Sequence, residues 1–273
     1  MIKIPTFLKW AGGKRKIIKK LEPLFPSKID RYFEPFLGAG AVFFFVKQKY
    51  NPKFCMISDT NKDLIDTFIA VRDNPKKLIS CFGYFKKYNS EKFYYEIRKK
   101  FNRHELRGLK RTAAFIYLNK NCFNGLYRVN SKNEFNVPCG KYKKPEIYNE
   151  ENIYFASKLL QRVKIKKQDY RKIKTIVRAG DFVYLDPCYD PIKKTSFANY
   201  TPKRFCETDR IEIAKFIRIL GEKRVNIILS NNNLPKIKEI YSDFKIKKIL
   251  APRNINANPI GRKRIIELAI SNF

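Results

Sequence analysis

The sequence predicts an α/β protein built on a doubly wound parallel sheet, with a helical insertion that carries a β-hairpin. Residues 54–59, 182–186 and 225–231 are apolar runs that end in an acid or an amide, the pattern of strands buried on both faces. A glycine turn, Gly38-Ala39-Gly40, follows another short apolar run and opens into apolar Ala41 to Val46. In the stretch from 62 to about 118, by contrast, Lys and Arg are interleaved among Phe and Tyr over long helical patterns.

In chain order, residues 32–36 give the first strand, the glycine turn and an apolar helix follow, and residues 54–59 give the second strand. The basic-aromatic stretch supplies several helices. Residues 119–145 contain Asn124-Gly125 and Ser131-Lys132-Asn133, turn signals flanked by β-formers, and read as a hairpin. Asp169 ends a further strand, and residues 182–186 form the next. Residues 209–220 form a helix on the apolar Ile211, Ala214, Ile217 and Ile219. Residues 225–231 follow as a strand, and 265–270 return to the sheet as a late one. The expected division is therefore a sheet domain made of 1–61 and 151–273, interrupted by an inserted domain at 62–150.

Lys and Arg number 59 against 25 Asp and Glu, a formal charge of +34. An excess of that size calls for a polyanionic partner, and nucleic acid is the commonest one in cells. A Lys-rich composition inherited from an AT-rich genome would give the same sum. The basic residues are spread along the chain, which speaks against a membrane-surface helix. No apolar run approaches the roughly 20 residues of a spanning helix, and the first residues lack a signal-peptide core. A cytoplasmic location is expected. The six cysteines form no C-x-x-C pair and His104 is the lone histidine, so neither a metal site nor a Ser-His or Cys-His nucleophile is expected.

Two motifs carry chemistry. Gly38-Ala39-Gly40 after a strand, with Asp59 about 20 residues on, suits a ribose diol. The third glycine of the dinucleotide fingerprint is replaced by Phe43, so a nucleoside without pyrophosphate, such as S-adenosylmethionine, fits better than NAD. A purely structural turn is the other reading. Asp186-Pro187-Cys188-Tyr189 closes a buried strand. An exocyclic amine on an aromatic base is a poor nucleophile because its lone pair is delocalised into the ring. A carboxylate and a proline-held carbonyl can draw that nitrogen toward tetrahedral geometry, while a tyrosine ring stacks on a flipped base. An ordinary loop opening with Asp-Pro is the alternative.

Together with Phe7-Leu8-Lys9-Trp10-Ala11-Gly12-Gly13-Lys14 and Glu34-Pro35-Phe36-Leu37-Gly38-Ala39-Gly40, this tetrapeptide resembles the signatures of the Dam-type adenine-N6 DNA methyltransferases of the D12 class. Their order matches the alpha group. Phe123-Asn124-Gly125-Leu126-Tyr127-Arg128-Val129-Asn130, continuing to Pro138, is similar to the hairpin of the GATC-methylating branch. Cys188 stands where the family carries a second proline. The resemblance implies a Rossmann-like methyltransferase sheet with an inserted DNA-recognition domain, S-adenosylmethionine as cofactor and double-stranded DNA as partner. It implies cofactor positions at Trp10, Lys14, Gly38, Asp59, Asp169 and Asp186, and catalytic positions at Asp186, Pro187 and Tyr189. For DNA it implies Arg128 and Lys9 on guanines, Asn124, Leu126 and Pro138 on base edges or a thymine methyl, and Phe123 as a wedge, with a core aromatic as the other reading of Phe123. Lys141, Lys143 and Lys144 are assigned to phosphates.

A monomer is expected, either solitary or paired with a cognate restriction endonuclease encoded nearby. Rival readings are a cytosine-N4 methyltransferase, in which Ser more often stands at the position of Asp186, and a catalytically silent DNA-binding regulator. A NAD-dependent oxidoreductase is disfavoured by Phe43 and by the charge.

Overall fold

A computed structural model describes residues 2–10, 12–142, 145–189, 207–252 and 264–273. Its centre is a seven-stranded sheet of order β3-β2-β1-β4-β5-β7-β6. The strands are β1 (Arg31–Glu34), β2 (Phe54–Asp59), β3 (Lys164–Lys167), β4 (Phe182–Leu185), β5 (Asn226–Asn232), β6 (Lys245–Pro252) and β7 (Arg264–Ser271). From β3 to β5 all pairs are parallel, while β7 runs antiparallel to both β5 and β6. Strand order reverses between β1 and β4, so the crevice at their carboxyl ends is the ligand position of an open sheet.

The two-residue period of each strand divides the core between the faces. Tyr32, Cys55, Ile57, Phe182 and Tyr184 join one apolar cluster. Their neighbours Phe33, Met56, Val183 and Leu185 join the other, under α8 (Glu207–Glu222) and α9 (Pro235–Ile240). The first cluster continues without a break into the helices between β2 and β3. These are α3 (Lys62–Asp73), α4 (Pro75–Lys87), α5 (Glu91–Asn102), α6 (Gly108–Asn121) and α7 (Glu150–Leu160), preceded in the chain by α1 (Ile18–Leu21) and α2 (Ala41–Tyr50). Local chemistry sets several starts. Asn61, Ser90 and Asn149 each accept an amide N–H of the first turn of α3, α5 and α7, and Pro75 opens α4.

The structure departs from the sequence expectation at two places. Strand β6, rich in lysine and lying at an edge, has no apolar run to reveal it. The hairpin of 119–145 folds as an antiparallel loop with two isolated bridges, Cys122 to Cys139 and Val129 to Phe135, and a 3-10 turn at Phe123–Gly125. The reason lies in α5, whose side chains at one face satisfy the loop backbone instead of a ladder. Asn102 both accepts from Phe135 N–H (2.9 Å) and donates to its carbonyl (3.0 Å). Tyr94 and Arg98 donate to the Val137 carbonyl.

Candidate active site

The carboxyl ends of β1, β2 and β4 bring Glu34, Asp59 and Asp186 to one crevice. The glycine turn lies over it because Gly38 and Gly40 adopt φ of 51° and 70°, backbone that favours glycine. At Gly38 a Cβ would also lie 3.0 Å from the Trp10 ring. The Gly38 amide donates to Asp59 Oδ2 (3.3 Å), and the Asn61 amide donates to Oδ1 (3.0 Å). Burial pushes the Asp59 carboxyl upward in spite of these donors. Asp169 caps the 3-10 turn after β3, the strand beside β2, and its carboxylate is gripped by Arg171 at 2.8 and 3.0 Å.

Lys14 is buried, and its ammonium lies 2.8 Å from Asp186 Oδ2 and 3.8 Å from Glu267 Oε2, while donating to the Gly12 carbonyl at 2.7 Å. It also lies 4.9 Å from the centre of the Tyr189 ring. The Tyr189 hydroxyl donates to Glu267 Oε2 at 3.2 Å. Pro187 is buried, whereas Asp186, Cys188 and Tyr189 are half-buried. Burial, together with the Asp59 and Asp186 carboxylates, pushes the Cys188 thiol up to about 12, so it stays a neutral filler of the loop. Glu34 is fully buried, receives the Tyr32 hydroxyl at 2.6 Å, and is driven well above the usual carboxylate range by burial.

A second group of side chains lies on the loop after α6 and beside it in the first segment of the chain. Arg128 is half-buried and spans the loop, donating from Nε to Asn136 Oδ1 (2.7 Å) and from Nη2 to its carbonyl (3.1 Å). Lys9 exchanges backbone bonds with the Asn119 side chain at 2.8 and 2.7 Å. Its ammonium donates to the Lys120 carbonyl and sits 4.0 Å from the Tyr142 ring centre. Phe123, Asn124, Pro138 and Lys141 are exposed, and Leu126 is half-buried. Lys143 and Lys144 lie outside the described residues. Trp10 joins the two groups, since it abuts Gly38 and stacks on Tyr127 of the loop at 5.4 Å and 16°.

Among the described residues, each candidate that the sequence singles out thus falls either at the strand-end crevice or around the loop that follows α6. Glu267 was missed. It is a lone acid in the apolar run Ile265 to Ile270, and that isolation was the available signal. Glu34 stood inside a recognised motif without a role.

Residues 10–255 match the family model described as D12 class N6 adenine-specific DNA methyltransferase. The chain is 43% identical over 289 residues to the type II methyltransferase M.MjaIII of Methanocaldococcus jannaschii, with 100% of both chains covered. It is 37% identical to the type II methyltransferase M1.LlaDCHI of Lactococcus lactis subsp. cremoris, covering 100% of this chain and 96% of the relative. A DNA adenine methylase of Haemophilus influenzae is 36% identical, with 98% and 93% covered.

Proposed function

The chain belongs to the D12 class N6 adenine-specific DNA methyltransferases, and from that premise we propose that it methylates the adenine of GATC in duplex DNA, using S-adenosylmethionine. The observation that carries the reading is the meeting of Asp186 and Tyr189 with Lys14 and Asp59 at the switch point of the sheet. When bound, the cofactor supplies an electrophilic methyl group on a sulfonium.

The residues present fit it. Asp59, already held by backbone amides, offers a fixed acceptor to ribose hydroxyls. Lys14 offers a cation for the amino-acid carboxylate, Trp10 an aromatic wall, and Asp169 an acceptor near the adenine. The bare Gly38 leaves its backbone open to close approach. On the substrate side, Tyr189 stacks on the flipped adenine. Asp186 accepts one N6–H and the Pro187 carbonyl the other, which localises the nitrogen lone pair.

Arg128 supports GATC. A guanidinium already held across the loop by Asn136 enters the major groove preorganised to pair with guanine O6 and N7. Lys9 reads a second guanine, and residues 62–150 act as the recognition domain. The type II names of two relatives support a restriction-modification setting, in which a cognate endonuclease reads the same sequence.

Single-molecule sequencing of DNA from a host expressing the chain tests this directly. Modified adenines are expected in GATC. Arg128→Ala should lower discrimination at one guanine by roughly 10- to 100-fold, the equivalent of about 1–3 kcal/mol. Modified adenines in another motif, or an unchanged preference in Arg128→Ala, would rule the assignment out.

A further inference from the structure

We propose that Glu267 is a positioning residue that receives the Lys14 charge and anchors the Tyr189 ring when Asp186 turns to the target amine. The inference rests on the assignment of Asp186 and Tyr189 given above.

The geometry couples Lys14 to Asp186. Its Oδ2 is 2.8 Å from the Lys14 ammonium, and although a carboxylate has lone pairs enough to accept an amine N–H beside that contact, turning toward the amine loosens the pair. A loosened Lys14 needs anions beside it, since its side chain is only 3% exposed, and the cofactor carboxylate proposed above would be one of them. Within the protein the carboxylate placed to receive it is Glu267, whose Oε2 lies 3.8 Å from the same nitrogen. Glu34 is less suited, because among the described residues no ion pair within 4.0 Å joins it to Lys14, as one joins Glu267, and burial drives it well above the usual carboxylate range. A shift of the ammonium by about an ångström turns the 3.8 Å approach into a charge-assisted hydrogen bond.

The same Glu267 oxygen accepts the Tyr189 hydroxyl at 3.2 Å. One carboxylate therefore fixes the ring proposed to stack on the flipped base and stands ready for the cation proposed to meet the cofactor. Its setting argues for selection by function over packing. Glu267 is the one acid of β7, opposite Asn232 of β5 and Ile249 of β6, with Leu268, Ala269 and Ile270 buried beside it. Burial raises its own carboxyl and the Asp186 carboxylate adds to that, in spite of the opposing pull of Lys14 and of the Tyr189 bond. The antiparallel entry of β7 beside β5 is what delivers this side chain to the crevice.

The test compares the full chain with Glu267→Gln, Glu267→Ala and Asp186→Ala in tritiated-methyl transfer. Glutamine keeps an acceptor for Tyr189 but removes the charge. Its kcat should fall about tenfold or more, with KM for cofactor and DNA within about threefold. Duplexes with 2-aminopurine at the target should emit as with wild type. Glu267→Ala should show the same fall, and brighter emission as stacking on Tyr189 loosens. Wild-type kcat in both variants, or a fall in thermal stability with kcat intact, would overturn the proposal while Asp186→Ala remains inactive. An Asp186→Ala enzyme that still turns over would remove the reading beneath it as well.

Discussion

A carboxylate at the end of a buried strand is positioned for a ligand and is costly without one. Asp59 receives amide hydrogens from Gly38, Thr60 and Asn61, yet burial outweighs them and raises its pKa. The native state therefore binds this proton more tightly than the unfolded chain, whose carboxyl titrates near about 3.9. Ligand-free stability should fall as pH rises from that value through the raised native one, and stay lower above it. Asp59→Asn removes the titrating group, so the fall of ligand-free stability with rising pH that this carboxyl contributes should be absent from the variant. Its cofactor affinity should drop about 10- to 100-fold, because a hydrogen bond to a charged acceptor is worth roughly 1.5–3 kcal/mol. Thermal melts across pH 4 to 8 and calorimetry check both halves. A variant that loses stability equally at every pH would contradict the first. Trp10, Lys14 and Asp186 can be singled out in the sequence because each sits in a short local motif, and Asp59 because it ends an apolar run about 20 residues after the glycine turn. Glu267 was not, since its meeting with Lys14 depends on the register and direction of a strand more than 200 residues away.

Among elements, the buried strands declared themselves because both faces of the sheet are covered, which makes their runs apolar up to the polar residues at the carboxyl ends. Strand β3 carries lysines on an edge and was inferred only from the acid that follows it, and β6 gave no signal at all. The loop after α6 shows a different limit. Its turn residues were readable, but its hydrogen-bond partners Tyr94, Arg98 and Asn102 lie on α5, a helix that sequence treats as a separate unit. Gly125 joins this loop to the first segment of the chain. It has φ of 62°, and a Cβ there would sit 2.5 Å from Lys9 Cβ. Gly125→Ala is expected to destabilise by about 1–3 kcal/mol through strain and overpacking. It should also push Lys9 away from the loop that carries Arg128. Activity on DNA should fall about tenfold while cofactor affinity stays within about threefold. Denaturant melts, steady-state kinetics and calorimetry on one preparation measure all three quantities. A loss of cofactor binding as large as the loss of activity would show that the loop and the crevice are not separable in this way.

At the scale of the whole molecule, the charge of +34 was visible in the composition, but its meaning was not. The family membership makes DNA the substrate, and the question becomes how much of the excess serves binding and how much is compositional. Salt separates the two contributions. Self-repulsion among surface lysines is screened whatever their purpose, so the melting temperature of the free protein should rise with ionic strength in either case. Phosphate contacts behave differently, because each one releases condensed counterions and adds about −0.9 to the slope of log affinity against log salt. A footprint in which Lys141 and its basic neighbours hold six or more phosphates gives a slope of about −5 or steeper. That slope should be nearly the same for GATC and for non-cognate duplexes, since phosphates position without specifying. Lys141→Ala should reduce it by about one unit and weaken all sequences alike, whereas Arg128→Ala should weaken GATC selectively. Fluorescence anisotropy titrations from 50 to 300 mM salt decide the matter. A slope of about −2 would assign most of the lysines to composition, and the charge would then explain solubility and not recognition.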